Sequence, residues 1–561
     1  MNRWHDAPVE RAETADVLTV GERALASGDW EAARNAFRES LEAEGTPEAH
    51  DGLGRALWWL GDVDGALHHR EAAYAALRRE GQAARAARIA LWVAREYAEA
   101  LGNEPAAGGW VARAEGLLRD LEPGPEHGWL ELTRGERAPD APEAERRAEA
   151  ALEVARRFSD PDLEASALAL LGRTLIARGD VGAGMSRLDE AMTAATGGEV
   201  MDPLAFGDVC CVVVLACEEA GDMSRVMKWN QVVEAYLERH HHAPLMSFCG
   251  TCCAAVFEAT GDLKQAEEWL VQALAALEGT GHRARCVHPA AKLAELRVLQ
   301  GRLEEAERLL AGYEDLPEAF RAAAALHLAR GESALASALL HRRLNWIGRE
   351  GLLALPLLTL LIQAQVAQGD ASAAASTADE IGSLAERTGE PKVAAAFGLA
   401  AGRAALAAGS PEAGPLLESA VDAFSGLQMP LEAARARLEL ARASREVRPE
   451  VAAREARLAQ DAFEAAGASP LADEAAGIVR DLGGPARTGP KLLGLLSRRE
   501  TEVLRLLSEG LTNAEIATRL FISTKTAGNH VSNVLSKLNL RSRSEAAAYA
   551  VRYLHAESAP K

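Results

Sequence analysis

Ten consecutive residues near the end of the chain, Thr524-Lys525-Thr526-Ala527-Gly528-Asn529-His530-Val531-Ser532-Asn533, hold amides, hydroxyls and an ammonium at helical spacing. Asn529 and Asn533 stand one turn apart on one face. An asparagine can bond bidentately to adenine N6/N7. Asn529 is therefore the first candidate to touch base edges, with Ser532 and Asn533 as helpers. Lys525, Thr526 and Lys537 suit phosphate contacts, which fix position without reading sequence. Arg541 and Arg543 add to that set, and Ser523 with the helix N-terminus supports it. His530 faces either a phosphate or the interior. The same residues admit a second reading, in which Gly528 lets a backbone approach closely and specificity comes from DNA shape. Inside a helix Gly528 costs up to about 1 kcal/mol relative to alanine.

Other candidate chemistry is thinner. All seven cysteines lie between Cys210 and Cys286. Cys249, Cys252 and Cys253 could offer two thiolates from one helical face, as a metal or thiol-redox sensor would. A structural zinc site usually shows two clean short-spaced pairs, and only one is present. Free cysteine is also a common core residue, so no metal or cofactor is assigned. The chain has no G-x-x-x-x-G-K-[ST] stretch, no G-x-S-x-G elbow and no H-E-x-x-H helix, and no catalytic activity is expected.

The elements that position the polar decapeptide are legible in residues 496–540. Ser497 precedes Glu500 by three residues and Thr512 precedes Glu515 by three, two capping boxes that start helices. Val503, Leu504, Leu506 and Leu507 follow the first box, and Ile516, Ala517 and Leu520 the second. Gly510 stops the first helix. A third helix starts near Thr524, with Ala527, Val531, Val534, Leu535 and Leu538 as its buried stripe. Helix, helix, short turn, helix is the outline of a helix-turn-helix reader of double-stranded DNA.

On Leu496, Ser497, Arg499, Glu500, Val503, Leu504, Gly510, Asn513, Glu515, Ile516, Ala517, Leu520, Ser523, Thr526, His530, Lys537, Leu538, Arg543 and Ala546, the stretch resembles the LuxR-type (FixJ/NarL-like) DNA-binding domain of bacterial regulators. The resemblance implies a four-helix domain whose third helix enters the major groove. It implies that the fourth helix, near Ser544 to Leu554, pairs two domains as a homodimer. Ala547, Ala550 and Val551 are its small and apolar candidates. The family commonly has Val-Lys where this chain has Ala527-Gly528, so base readout here must be rebuilt. Larger members carry an ATPase ahead of the repeats, whose phosphate-loop motif is missing here, and the chain does not open as a receiver domain.

Ahead of this tail the chain repeats itself. A small-residue-rich helix, a Gly-Asp or Gly-polar turn and a second amphipathic helix recur at Gly28, Gly61, Gly179, Gly221, Gly261, Gly301, Gly331, Gly369 and Gly409. Glycine ends the first helix and the next residue caps the second. The pattern resembles a tetratricopeptide-type solenoid, which stacks helix pairs around a continuous core and leaves a groove for a ligand or protein partner. The Pro- and Gly-rich stretch Glu122–Glu145 reads as a loop that interrupts the rhythm.

The expected organisation is thus all-α: a tetratricopeptide-like solenoid over 1–482, a flexible linker over 483–491 and a LuxR-type domain over 492–561. The charge is divided accordingly. The chain carries −21 overall, yet residues 491–561 hold 11 Lys and Arg against 6 Asp and Glu. A basic tail on an acidic body confines DNA binding to the tail. With no signal peptide and no apolar run near the ~20 residues a membrane helix needs, the expected location is cytoplasmic. The expected function is sequence-specific transcriptional regulation. An interaction scaffold with weak DNA anchoring and a regulator using the cysteine region remain as alternatives.

Overall fold

The structure, a computed structural model, describes residues 7–222, 243–277, 283–314, 316–483, 498–520, 524–538, 540 and 542–553, with scattered positions from 225 to 235. Every regular element among them is helical. Two compact units emerge, Met1–Ala475 and Ala476–Lys561. The helix Ser469–Asp481 crosses that border. Most of the expected linker, from 484 onward, lies outside the described residues.

The first unit is a succession of helix pairs joined by tight turns, such as Pro47–Trp59 with Val63–Arg79 and Pro161–Arg178 with Val181–Thr196. The turns follow from the glycine and the residue after it. All nine glycines named above take φ between 69° and 98°, a region that a Cβ disfavours. At Gly61, the Gly61 N–H donates to Trp58 O at 3.0 Å and the Asp62 N–H to Leu57 O at 2.9 Å, closing the first helix. Asp62 Oδ1 then accepts from the Gly65 N–H at 2.8 Å and opens the second. Asp29, Asp180, Asp222, Asp262 and Asp370 cap the same way.

At eight of the nine turns the residue four after the second position is alanine or glycine, and at the ninth it is Val226. Ala33, Ala66, Ala266, Ala306, Ala336 and Ala374 are each 0% exposed. That spacing brings the second helix down onto the first with little side chain between them. In one pair both sides are glycine. A Cβ built on Gly184 would lie 2.6 Å from Gly172 O, and one on Gly172 would lie 2.8 Å from Gly184 O. Here the two backbones themselves are in contact.

One expectation is corrected. Residues 122–145 are not an interrupting loop: they hold the whole of one helix, Pro125–Glu136, and the start of the next, Ala141–Phe158. Pro125 and Pro142 stand in the first turns of these helices, where a missing N–H costs nothing and a fixed φ helps. Two further turns, Gly81-Gln82 and Gly102-Asn103, continue the rhythm, with φ of 74° and 62° at the glycines. Of the two readings of the cysteines, five residues follow the core one, while Cys286 is half-buried. Cys210, Cys211, Cys217, Cys252 and Cys253 are 0–1% exposed. Cys217 packs its Sγ 3.8 Å from Met185 Sδ. Burial pushes the Cys217 thiol up to about 12, away from the reactive thiolate. The Cys249 side chain and His240–His242 lie outside the described residues. Among the described residues no three His, Cys, Asp or Glu groups come together to hold a metal.

The array also winds back on itself. Arg285 Nη2 donates to Glu96 Oε2 at 2.5 Å, although the two residues are 189 positions apart, and their side chains are 8% and 0% exposed. Arg95 forks onto Asp208 at 2.5 and 2.9 Å. Helix Arg283–Leu299 packs on Ala83–Glu99, and Ala243–Thr260 packs on Pro430–Ser444. A buried pair of this kind costs desolvation, which good geometry and additional hydrogen bonds offset.

Candidate nucleic-acid interface

The tail builds its site on four helices: α1 (Arg498–Ser508), α2 (Asn513–Leu520), α3 (Thr524–Lys537) and α4 (Arg543–Tyr553). They enclose a core of their own, in which Val503, Leu504, Leu507, Ile516, Val534, Leu538, Ala546 and Ala550 are 0–1% exposed. The stop after α1 is the expected one. Gly510 has φ of 81°, and the Gly510 and Leu511 N–H groups donate to Leu507 O and Leu506 O at 3.1 and 3.2 Å. The second capping box is complete. The Thr512 N–H donates to Glu515 Oε2 at 2.7 Å, and the Glu515 N–H returns to Thr512 Oγ1 at 3.4 Å. These bonds from the Thr512 amide and hydroxyl hold the Glu515 carboxyl below the usual range. Ser497, half of the first box, lies outside the described residues, while its partner Glu500 is buried.

On α3 the expected stripe is buried: Ala527, Val534 and Leu538 at 0% and Val531 at 7%, with Leu535 packed at its edge. Thr524, Ser532 and Asn533 are exposed, and Gly528 and His530 are half-buried. The helix period places position 529 opposite the buried stripe. The side chains of Lys525, Thr526, Asn529 and Lys537 lie outside the described residues, as do Ser523 and Arg541. The structure thus brings Ser532 and Asn533 together on the exposed face.

Arg543, expected at a phosphate, is braced within the domain. It is half-buried; its Nη1 donates to Asn513 Oδ1 at 2.9 Å, and its Nη2 is buried without a partner. Asn513 Nδ2 in turn lies 3.6 Å from where a Cβ on Gly528 would stand. One asparagine therefore touches the start of α4 and the first half of α3 from the N-terminus of α2. Its place just inside a helix start gave no sign of this, because the partners come from 15 and 30 residues away. Gly528 meets ordinary contact only, so the fold itself does not require glycine there.

Residues 494–550 match the profile of the bacterial regulatory proteins of the luxR family, and residues 137–414 match that of the MalT-like TPR region. The tail is a LuxR-type helix-turn-helix domain. The body carries a MalT-like TPR region. The transcriptional regulatory proteins LnrK and LiaR of Bacillus subtilis are 55% identical over 58 residues and 51% identical over 57. Each match covers 10% of this chain and 26% or 27% of the relative. The DNA-binding transcriptional activator DevR/DosR of Mycobacterium tuberculosis is 45% identical over 76 residues, which is 14% of this chain and 35% of that protein. The chain thus spans about a quarter to a third of the length of these curated relatives. Among solved structures, a Rap protein complexed with Competence and Sporulation Factor aligns with 69% of this chain and 99% of its own, at 13% identity and a TM-score of 0.39.

Within the LuxR-type domain the pairing candidates divide. Ala550 is 0% exposed and belongs to the domain's own core. Ala547 is half-buried, next to the exposed Ser544 and Glu545, and the Val551 side chain lies outside the described residues. A small residue fits a core as readily as a pairing face, which is why composition did not separate them.

Proposed function

We propose that this chain is a sequence-specific DNA-binding transcriptional regulator. The LuxR-type tail reads the major groove with α3, and the helical-repeat body senses a ligand or a protein partner. The observation that carries the reading is α3 itself: a buried apolar stripe on one side and exposed Ser532 and Asn533 on the other, within a domain of its own core. Asn529, Ser532 and Asn533 make the base contacts. Lys525, Thr526, Lys537, Ser523, Arg541 and the half-buried His530 serve phosphates. Two tails pair through the outer side of α4 around Ala547, so that a homodimer spans two half-sites. No helix among the described residues is long and apolar enough to cross a membrane, which accords with work on DNA in the cytoplasm. The body biases the tail between paired and unpaired arrangements when its site is filled.

The test is selection from random DNA by the full-length protein at physiological salt. One enriched inverted repeat supports the reading. Enrichment of nothing beyond general affinity for DNA refutes it and leaves the tail a non-specific anchor.

A further inference from the structure

The first helices of the body surround a cavity of about 280 Å³ that is lined by four of the chain's ten tryptophans. Trp30 stacks on Trp59 with ring centroids 4.6 Å apart and planes 12° apart, and Trp58 meets Trp59 edge-on at 5.0 Å. Trp92 carries the Arg70 guanidinium over its face at 4.3 Å. The far wall comes from Asp202, Pro203 and Leu204, more than a hundred residues further along. A cavity of this size stands at the lower edge of small-molecule sites.

Its charges are mostly committed. Arg70 Nε pairs with Asp51 at 2.9 Å, and Arg55 pairs with Glu22 at 3.2 Å. Asp202 Oδ1 accepts from the Leu204 N–H at 2.9 Å and caps the helix Pro203–Ala220. Arg88 is different. Its guanidinium lies over Trp129 at 3.4 Å, and its Nη1 is buried with no hydrogen-bond partner. The neighbouring Asp160 carboxylate is occupied by the Trp129 indole N–H and the Leu163 N–H. Burial brings Arg88 down to about 10, so it remains a cation at neutral pH. A buried donor left unmade is unfavourable, and such groups find partners in folded proteins.

The geometry points to a binding site for a small flat carboxylate, whose apolar ring lies against the tryptophan walls and whose charge is drawn to the Arg88 guanidinium, one of three arginines against two aspartates in the lining. A dianion such as phosphate fits less well, because Asp51 and Asp202 also line the cavity and leave its three arginines an excess of one charge. A quaternary ammonium, which aromatic walls also attract, would meet three arginines against two aspartates. The site names a ligand class for the sensing body proposed above; its effect on DNA rests on that reading, but its binding does not.

The experiment is calorimetric titration of the full-length protein with indole-3-acetate and benzoate, against the neutral indole-3-acetamide and the cation benzyltrimethylammonium. The carboxylates should bind saturably, and the acid should exceed its amide by about tenfold, the worth of one charge-assisted hydrogen bond. Arg88→Met should erase that preference, with circular dichroism verifying the fold. Leu204→Trp, which leaves Arg88 in place, should fill the cavity and abolish binding of both. Equal binding of acid and amide, preference for the ammonium, or no saturable carboxylate binding at millimolar concentration would each overturn the proposal. Random-DNA selection on the same preparation separates the two readings. A selected site without carboxylate binding sinks only the cavity, and carboxylate binding without a selected site sinks only the regulator.

Discussion

Gly184→Ala and Gly182→Ala make the same chemical change two residues apart in one helix, and they should move stability in opposite directions. At Gly184 the new Cβ would lie 2.6 Å from Gly172 O, 2.6 Å from Ile176 Cγ1 and 3.1 Å from Ile176 N. Two of these three atoms are backbone, so no rotamer relieves the clash. Reaching ordinary contact at 3.4 Å requires the facing helix to retreat by about 0.8 Å, a shift of the kind that costs 1–3 kcal/mol when a core is overpacked. Alanine returns up to about 1 kcal/mol of helix propensity. A clash with backbone atoms belongs in the upper part of that range, about 2–3 kcal/mol, so the balance is a loss of about 1–2 kcal/mol. At Gly182 nothing lies within 4 Å of the added Cβ, so only the propensity gain remains, up to about 1 kcal/mol. Urea unfolding followed by circular dichroism, with all three proteins on one day and one buffer, reads the difference as a change in midpoint at constant slope. If Gly184→Ala were as stable as the parent chain, the backbone contact between these helices would not exist, and the account of how the repeats pack would fail with it.

Other perturbations probe other levels of the structure. Arg285→Met should strand the buried Glu96 carboxylate and cost about 3–5 kcal/mol, whereas adding Glu96→Gln should recover a large part of it, as a double-mutant cycle would show. Asn529→Ala should flatten discrimination between DNA sites by about 1–3 kcal/mol, while Lys525→Ala weakens all sites alike and lowers the salt slope, both readable by fluorescence anisotropy.

What the sequence disclosed was local, and what it hid was distant. A Gly-Asp pair encodes a positive φ and a side-chain cap within three residues, so those turns could be placed; Gly301-Arg302 and Gly331-Glu332 keep the positive φ without the cap. The same local logic misread residues 122–145, because proline signals a loop and a helix start with equal force, and only the observed first turns of Pro125–Glu136 and Ala141–Phe158 decide between them. The tail's buried stripe was legible from its period. The Asn513–Arg543 brace was not, since it joins residues 30 positions apart. Ala550 and the cysteines were ambiguous for one reason: small side chains suit a core, a pairing face or a site equally well. The cavity beside Arg88 was invisible, because Asp202 and Leu204 reach it only once the helices are stacked.

The pair between Glu96 and Arg285 has a consequence for how the body comes apart. A repeat array in which each unit touches only its neighbours unravels from its ends, and its stability grows in even increments with length. Here a clasp ties the third helix pair to one 189 positions later. The intervening repeats form a hoop. Trimming the first hundred residues would release not only their own contacts but the far side of that hoop as well. Loss of stability on truncation should come in uneven steps, and fraying at one end should be felt as softening in the middle of the chain.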